Sequence, residues 1–189
     1  MDTIFGAHKK IAGFTLLETL ITVGIIGMVG VLISQVFFTT TRTNTKTELV
    51  KDVKQNGDFA LESMQRTIRN SLAIQTTCSP APGTTSSSID VQNPDGTMTT
   101  FGCAFDTSAN ATRIVATTSA GLQYLTSTNV SLGGTSCSDP NNTLAFVCTS
   151  YPDQPSSVDI QFRLSQKGTP VDQYAVTSIS FETTVVPRN

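Results

Sequence analysis

The chain has 189 residues, of which 38% are hydrophobic and 14% are charged, and it contains no tryptophan. This length suits one compact domain with one extended element better than two full domains. The formal net charge is −2, and the segment after Ile74 carries four basic against eight acidic residues. Because nucleic-acid binding normally requires a basic face, this charge distribution disfavours a nucleic-acid partner.

An apolar segment dominates the N-terminal part of the chain. Residues 14–38 form a nearly unbroken apolar run of 25 residues. As a helix this run would reach about 37 Å, enough to cross the roughly 30 Å hydrocarbon core of a bilayer. Lys9 and Lys10 precede it, and the positive-inside rule places them in the cytoplasm. The run is too long for a cleaved secretory signal, and no A-x-A-like site follows it, so we expect a membrane-spanning helix.

Glu18 does not suit a simple membrane anchor. An acidic side chain near the centre of a bilayer costs about 2.5–3.5 kcal/mol, and the cost falls towards the interface. Glu18 lies only four residues after Phe14, yet a neutral residue would still serve an anchor better. We therefore expect another charge to compensate this carboxylate.

The residues around Glu18 follow a characteristic order. Lys9-Lys10-Ile-Ala-Gly13 is followed by Phe14-Thr-Leu-Leu-Glu18 and then by the apolar run. This order resembles the processing motif of prepilins, the precursors of type IV pilins and pseudopilins. The resemblance implies that a membrane peptidase cleaves between Gly13 and Phe14 and then methylates the new amino group of Phe14. It also implies that Glu18 pairs with the terminal amine of a neighbouring subunit, which would compensate its charge.

Beyond the apolar run, apolar residues recur at every third or fourth position, which predicts an amphipathic continuation of the helix to about Ile74. These residues are Leu49, Val53, Ala60, Leu61, Met64, Ile68 and Leu72. One face of this segment is expected to pack on a head domain, and Asn56-Gly57 marks a candidate bend. The predicted organisation is a cleaved leader over 1–13, a transmembrane and filament-core helix over 14–38, its continuation over 39–76 and a head over 77–189.

The head is predicted to consist of strands. A linker rich in Pro, Gly and Ser over 80–88 precedes a hairpin of 89–92 and 97–101 around the turn Asn93-Pro-Asp-Gly96. Further strands are predicted over 112–118, 122–126, 144–148 and 158–164, followed by a turn over 166–170 and a last strand around 179–185. A helix followed by strands predicts an α+β fold, with the long N-terminal helix packed on an antiparallel sheet. The resemblance to pilins implies the same architecture.

All four cysteines, Cys78, Cys103, Cys137 and Cys148, follow the apolar run. They form no CxxC pair and no histidine accompanies them, which favours two disulfides over a zinc site. Disulfides indicate an oxidising compartment. Three pairings are open, and we predict the nearest-neighbour one, Cys78–Cys103 and Cys137–Cys148, because each bond would close a local loop.

The sequence offers little for catalysis. The single histidine, His8, lies in the segment that processing would remove, which disfavours a Ser-His-Asp or Cys-His hydrolase. No glycine-rich phosphate loop and no EF-hand spacing are present. We therefore expect no enzymatic activity, no metal site and no cofactor.

The resemblance implies a structural subunit, either a minor pilin or a pseudopilin, of a type IV pilus or a type II secretion-like filament. The implied partners are other pilin subunits in a homo- or hetero-filament, the prepilin peptidase/methyltransferase, an inner-membrane assembly platform and membrane lipid. The chain would cross the cytoplasmic (inner) membrane once and then enter a periplasmic or extracellular filament. The alternative is a tip adhesin whose head binds a surface, a carbohydrate or DNA.

Overall fold

The computed structural model describes residues 13–167 and 177–188, except for the side chains of residues 42 and 45. In this part of the chain, helix α1 (Leu16–Asn70) is followed by ten strands. The strands are β1 (Ala73–Ile74), β2 (Thr84–Ser86), β3 (Ile89–Gln92), β4 (Met98–Asp106), β5 (Ala111–Thr118), β6 (Gly121–Tyr124), β7 (Val130–Ser131), β8 (Ala145–Tyr151), β9 (Gln154–Gln166) and β10 (Ser178–Val185). The chain divides into two compact units, Met1–Asn44 and Thr45–Asn189.

Two sheets of antiparallel strands lie in the second unit. Sheet A has the strand order β1-β3-β4-β5-β6, and sheet B has the order β10-β9-β8-β2. Strand β7 pairs with the end of β9, beyond the part of β9 that pairs with β8. The predicted α+β fold, with a long N-terminal helix and antiparallel strands, is confirmed.

The second half of α1 contributes one apolar face to the core of this unit. Four of its side chains are fully buried at helical spacing: Val53, Ala60, Met64 and Ile68. They join residues of both sheets, including Phe101 and Phe146, in one apolar cluster. The amphipathic pattern in the sequence therefore corresponds to a core-facing helix surface.

The helix ends at Asn70, four residues before the predicted end at Ile74. Ser71 donates hydrogen bonds to the carbonyl oxygen of Ile68 from its backbone N–H (3.2 Å) and from its hydroxyl (2.8 Å), which satisfies one terminal carbonyl. The next residue, Leu72, is 53% exposed, although its spacing placed it on the apolar face. Residues 73–74 leave the helix because they pair with β3.

Gly57 allows a strand of sheet B to pack closely on α1. The chain remains helical at this position, where the sequence indicated a bend. A Cβ added to Gly57 would overlap the ring of Phe181, which stacks on Phe162 with ring centroids 5.0 Å apart. The glycine therefore provides space for an aromatic side chain of β10.

The predicted hairpin around Asn93-Pro-Asp-Gly96 is confirmed. Strand β3 pairs with β4 from Ile89–Phe101 to Gln92–Met98. In the turn, the Asn93 N–H donates to the Thr97 carbonyl oxygen at 2.8 Å. Gly96 has φ +81°, a left-handed conformation that favours glycine.

The other predicted strands correspond to β5, β6, β8, β9 and β10, with shifted ends. The linker predicted over 80–88 is wrong in part, because it contains strand β2, which pairs Thr84 with Cys148 and Ser86 with Phe146. Residues 168–170 of the predicted turn lie outside the described residues.

The predicted disulfide pairing is wrong. The bonds are Cys78–Cys148, with Cα atoms 4.8 Å apart, and Cys103–Cys137, with Cα atoms 5.7 Å apart. The chain after α1 returns to β8, where Ser79 bridges Thr149, so Cys78 lies beside Cys148 rather than beside the next cysteine in sequence. The expectation of two disulfides itself is confirmed, and they close loops with sequence separations of 70 and 34 residues.

A buried ion pair joins the two ends of the β4–β5 turn. Arg113 Nη1 donates to Asp106 Oδ2 at 2.6 Å, and both side chains are 9% exposed. The Arg113 guanidinium lies 3.9 Å from the ring centroid of Tyr124 and also donates from Nε to the Thr126 carbonyl oxygen at 2.9 Å. Hydrogen bonds from Ser108 and Ala109, together with Arg113, lower the pKa of Asp106 well below its usual range.

Non-reducing peptide mapping of the purified full chain should yield one peptide pair linking Cys78 to Cys148 and another linking Cys103 to Cys137. Alkylation without reductant should modify none of the four cysteines. Replacing Cys103 and Cys137 together with serine should lower the free energy of unfolding by about 3–4 kcal/mol, because the unfolded chain gains the freedom of the opened loop. A peptide joining Cys78 to Cys103 would contradict the observed pairing.

Asp106→Asn should lower the melting temperature by roughly 5 °C or more, because it leaves the buried Arg113 charge without its carboxylate. Because the pKa of Asp106 is lower in the folded chain than in the unfolded chain, the ionised carboxylate stabilises the fold at pH values above the ordinary aspartate pKa near 3.9. This stabilisation is lost as the pH falls through the folded-state pKa. The difference in melting temperature between the wild type and Asp106→Asn should therefore narrow between about pH 5 and pH 2. Asp153→Asn, in an exposed turn, is the control, and an equal loss there would refute the role of the ion pair.

Candidate functional site

The residues that the sequence marks for processing lie at the start of the described chain. Gly13 and Phe14 precede α1, and Phe14 is 77% exposed. A Cβ added to Gly13 would meet no atom within 4 Å. Packing within residues 13–167 and 177–188 therefore does not require glycine at position 13, and the bond between Gly13 and Phe14 lies in exposed, non-helical backbone.

Thr15 caps the helix immediately after this bond. Its Oγ1 accepts a hydrogen bond from the backbone N–H of Glu18 at 3.2 Å, and its carbonyl oxygen accepts one from the N–H of Thr19 at 3.2 Å. Thr15-Leu-Leu-Glu18 has the residue order of a capping box, a signal that the sequence analysis missed. The cap starts the helix at Leu16 and leaves Gly13 and Phe14 outside it.

Glu18 lies in the first turn of α1, where the unpaired N–H groups of a helix favour a negative charge. Its side chain is exposed, and within residues 13–167 and 177–188 no cationic side chain forms an ion pair with it. The helix start is thus the only favourable electrostatic environment that the described chain offers this carboxylate. Gly13, Phe14 and Glu18 lie within one short segment at the start of α1.

The apolar surface that follows is uncovered. Every large apolar side chain from Leu16 to Phe38 is at least 47% exposed. By length and composition, α1 is the one helix in the described part of the chain that could cross a membrane. A continuous apolar surface of this extent indicates contact with lipid or with other proteins.

Hydroxyl side chains within and just after this apolar segment are satisfied by the helix itself. The hydroxyls of Thr19, Thr22 and Ser34 donate to backbone carbonyl oxygens three or four residues earlier, at 2.8–2.9 Å. Thr39 and Thr40 do the same at 2.9 Å. In hydrocarbon an unsatisfied polar group costs several kcal/mol, so this bonding makes the segment compatible with a lipid or protein interior.

The described residues offer no arrangement typical of a metal or thiol site. No group of three or more His, Cys, Asp or Glu side chains lies together as a metal site within residues 13–167 and 177–188. All four cysteines are in disulfides, so none provides a thiolate. His8 lies outside the described residues. The N-terminal segment is therefore the candidate functional site.

Comparison with protein families gives one match, and it falls on this segment. Residues 8–34 match the family described as the prokaryotic N-terminal methylation motif. No curated protein and no solved structure gives a significant match to the chain. The matched stretch includes Gly13, Phe14 and Glu18, together with most of the exposed apolar surface, and it points to a structural protein rather than an enzyme.

The family match and the geometry both indicate that the N-terminal segment is a processing and membrane-contacting site. It contains an accessible bond before a capped helix, an acidic residue in the first turn and an uncovered apolar surface. The chain therefore carries the prokaryotic N-terminal methylation motif, which is the prepilin signal of type IV pilins and pseudopilins.

Proposed function

We propose that the chain is a structural filament subunit, a minor pilin or pseudopilin of a type IV pilus or a type II secretion-like filament. One observation carries this proposal: the prepilin signal directly precedes a helix whose apolar side chains are uncovered along residues 16–38. Such a surface requires lipid before assembly and other subunits after it. The proposed partners are therefore membrane lipid and other pilin subunits, in a homo- or hetero-filament.

The proposed processing begins with cleavage between Gly13 and Phe14 by the prepilin peptidase, followed by methylation of the Phe14 amino group. Two features support the cleavage position. The bond lies outside the helix, which Thr15 caps, and among the described residues a Cβ added to Gly13 would meet no atom within 4 Å. The glycine is then required by the enzyme rather than by the fold.

Cleavage also gives Glu18 a candidate partner. It creates an ammonium group at Phe14, and in a low-dielectric surrounding this charge attracts a carboxylate strongly. We assign the pairing to two different subunits, as the resemblance to prepilins implies. Within residues 13–167 and 177–188 no cationic side chain pairs with Glu18. An ion pair compensates the cost of burying each charge alone, so it would link processing to assembly.

Three glycines support close helix contacts in the filament. Gly24, Gly27 and Gly30 lie on the exposed apolar part of α1, and an added Cβ at any of them would meet nothing within 4 Å. No contact within the described part of the chain therefore explains their small size. Small residues allow backbones of neighbouring helices to approach each other in apolar surroundings.

The proposed organisation follows from these steps. Residues 1–13 are the leader, 14–38 the transmembrane and filament-core helix, 39–76 its continuation into the head, and 77–189 the disulfide-containing head. The subunit crosses the cytoplasmic (inner) membrane once, engages an inner-membrane assembly platform, and becomes part of a periplasmic or extracellular filament. The two disulfides support an exported head.

Mass spectrometry of filaments sheared from the native host should detect a mature chain that begins at Phe14 with a methylated amino group. The described residues leave space for Gly13→Ala. This variant should nevertheless remain uncut, because the added methyl group would clash with the peptidase beside the scissile bond. Gly27→Ala adds the same methyl group away from the cleavage bond and should be cleaved normally. A functional native chain that retains Met1 would refute the processing step.

Glu18→Ala should still be cleaved, but its incorporation into filaments should fall by a factor of about ten or more. The reason is that the amine of the neighbouring subunit would be buried without a counter-charge. Quantitative immunoblots of sheared filaments against total membrane protein measure this ratio. Glu48→Ala, on the same helix but beyond the apolar run, is the matched control. Incorporation of Glu18→Ala at the wild-type level would remove the pairing from the proposal.

A further inference from the structure

A cleft of about 570 Å³ lies in the second unit, away from the N-terminal segment. Its walls come from α1 at Leu49–Val53, from the loop after β4, from the loop before β7 and from the end of β9. This volume falls within the range typical of small-molecule sites, about 300–1,000 Å³. The proposed filament function uses none of these residues.

Hydrogen bonds of Asn56 fix the α1 wall of the cleft relative to the loop before β7. Asn56 Nδ2 donates to Asp52 Oδ1 at 3.1 Å, and Asn56 Oδ1 accepts from the backbone N–H of Ser127 at 2.7 Å. The same asparagine thus holds a carboxylate on α1 and ties the loop before β7 to the helix. The side chain of Asp52 is thereby oriented where it lines the cleft.

The buried ion pair fixes another wall. Asp106 Oδ1 accepts hydrogen bonds from the backbone N–H groups of Ser108 (3.0 Å) and Ala109 (3.1 Å), while its Oδ2 binds Arg113. Both Ser108 and Ala109 line the cleft. Replacing a buried ion pair with apolar residues often leaves stability unchanged, although removing one partner alone is costly. Stability alone therefore does not explain the pair, and the positioning of Ser108 and Ala109 at the cleft gives it a second role.

The remaining walls are joined by the backbone. The N–H of Lys167, at the end of β9, donates to the carbonyl oxygen of Asn129 at 2.9 Å, and β7 pairs with β9 one residue away. The side chains of Asn129 and Lys167 both line the cleft. Three separate hydrogen-bonded connections therefore converge on one concave surface, which is the preorganisation that a binding site requires.

The lining chemistry indicates the class of ligand. The polar lining consists of Asp52, Ser108, Thr128, Asn129, Gln166 and Lys167, which together offer a carboxylate, an ammonium group, two amides and two hydroxyls. The half-buried aliphatic side chain of Leu49 adds a small apolar surface, whereas Val53 is buried in the core. The amides both donate and accept, the Ser108 hydroxyl can accept because it donates to Asp106 Oδ1 at 2.6 Å, and the two opposite charges disfavour a ligand with net charge of either sign.

We propose that this cleft binds a neutral oligosaccharide segment. Such a ligand presents hydroxyls that both donate and accept, and one of its C–H faces can pack on the aliphatic side chain of Leu49. The amides of Asn129 and Gln166 bind sugar hydroxyls, and Asp52 accepts from a third. The head then combines a structural role in a filament with recognition of a glycan, and this binding does not depend on filament assembly.

The test uses the purified full chain in a polyoxyethylene detergent, because alkyl-glycoside detergents would themselves occupy a sugar site. Saturation-transfer NMR is recorded with maltotriose, cellotriose and tri-N-acetylchitotriose as separate probes, and with inorganic phosphate and digalacturonate as anionic competitors. We expect saturation transfer to at least one neutral trisaccharide, which the anions do not displace. Absence of transfer to all three neutral probes, or displacement by the anions, would overturn the proposal.

Two variants place the binding in the cleft. Asn129→Ala combined with Gln166→Ala removes both amides without touching the core, and it should weaken trisaccharide binding about tenfold. Asp52→Asn, which keeps the shape and the acceptor for Asn56, should also weaken binding. Gln55→Ala combined with Gln123→Ala removes two exposed amides outside the cleft and should change nothing. Equal affinity of the wild type and the cleft variants, with circular dichroism confirming the fold, would refute the site.

Discussion

One constraint governs the molecule: the apolar side chains of residues 16–38 cannot remain in water. Burial of apolar surface is favourable by roughly 25 cal/mol per Å², yet every large apolar side chain from Leu16 to Phe38 remains at least 47% exposed. Each feature of the N-terminal segment is consistent with a non-aqueous surrounding. Hydroxyls donate to backbone carbonyl oxygens of the helix, glycines leave room for neighbours, and Thr15 accepts a hydrogen bond from the backbone N–H of Glu18 in the first turn. A bilayer core and a bundle of apolar helices would both meet this requirement.

The second unit meets the opposite requirement, because it must be stable in water with a modest apolar content. Its core combines one face of α1 with both sheets, and Gly57 lets an aromatic side chain of β10 reach the helix directly. Two disulfides and the buried Asp106–Arg113 pair then fix the loops. These polar and covalent connections leave a shaped surface on the head, where loops distant in sequence meet.

Local patterns allowed much of this structure to be predicted, and non-local contacts explain what was missed. The helical spacing of Val53, Ala60, Met64 and Ile68 and the turn at Asn93–Gly96 are short-range signals, and both were correct. Thr15 was visible as a capping residue but was overlooked. Strand β2 was hidden in a sequence typical of linkers, since its pairing depends on β8, some 60 residues away. The cleft escaped prediction because Asp52, Ser108, Asn129 and Gln166 meet only in the folded chain.

The disulfides are nested, with Cys103–Cys137 enclosed by Cys78–Cys148. If the N-terminus is retained and the head is exported, thiols reach the oxidising side in sequence order, so Cys78 and Cys103 both arrive before Cys137, and Cys148 arrives last. Oxidation during translocation would therefore produce the non-native bond first. A productive route then needs either late oxidation, after β8 has emerged, or a thiol-exchange catalyst that reshuffles the early bond. Formation of the native pairs in an exported head would thus depend on the timing of oxidation or on disulfide isomerisation.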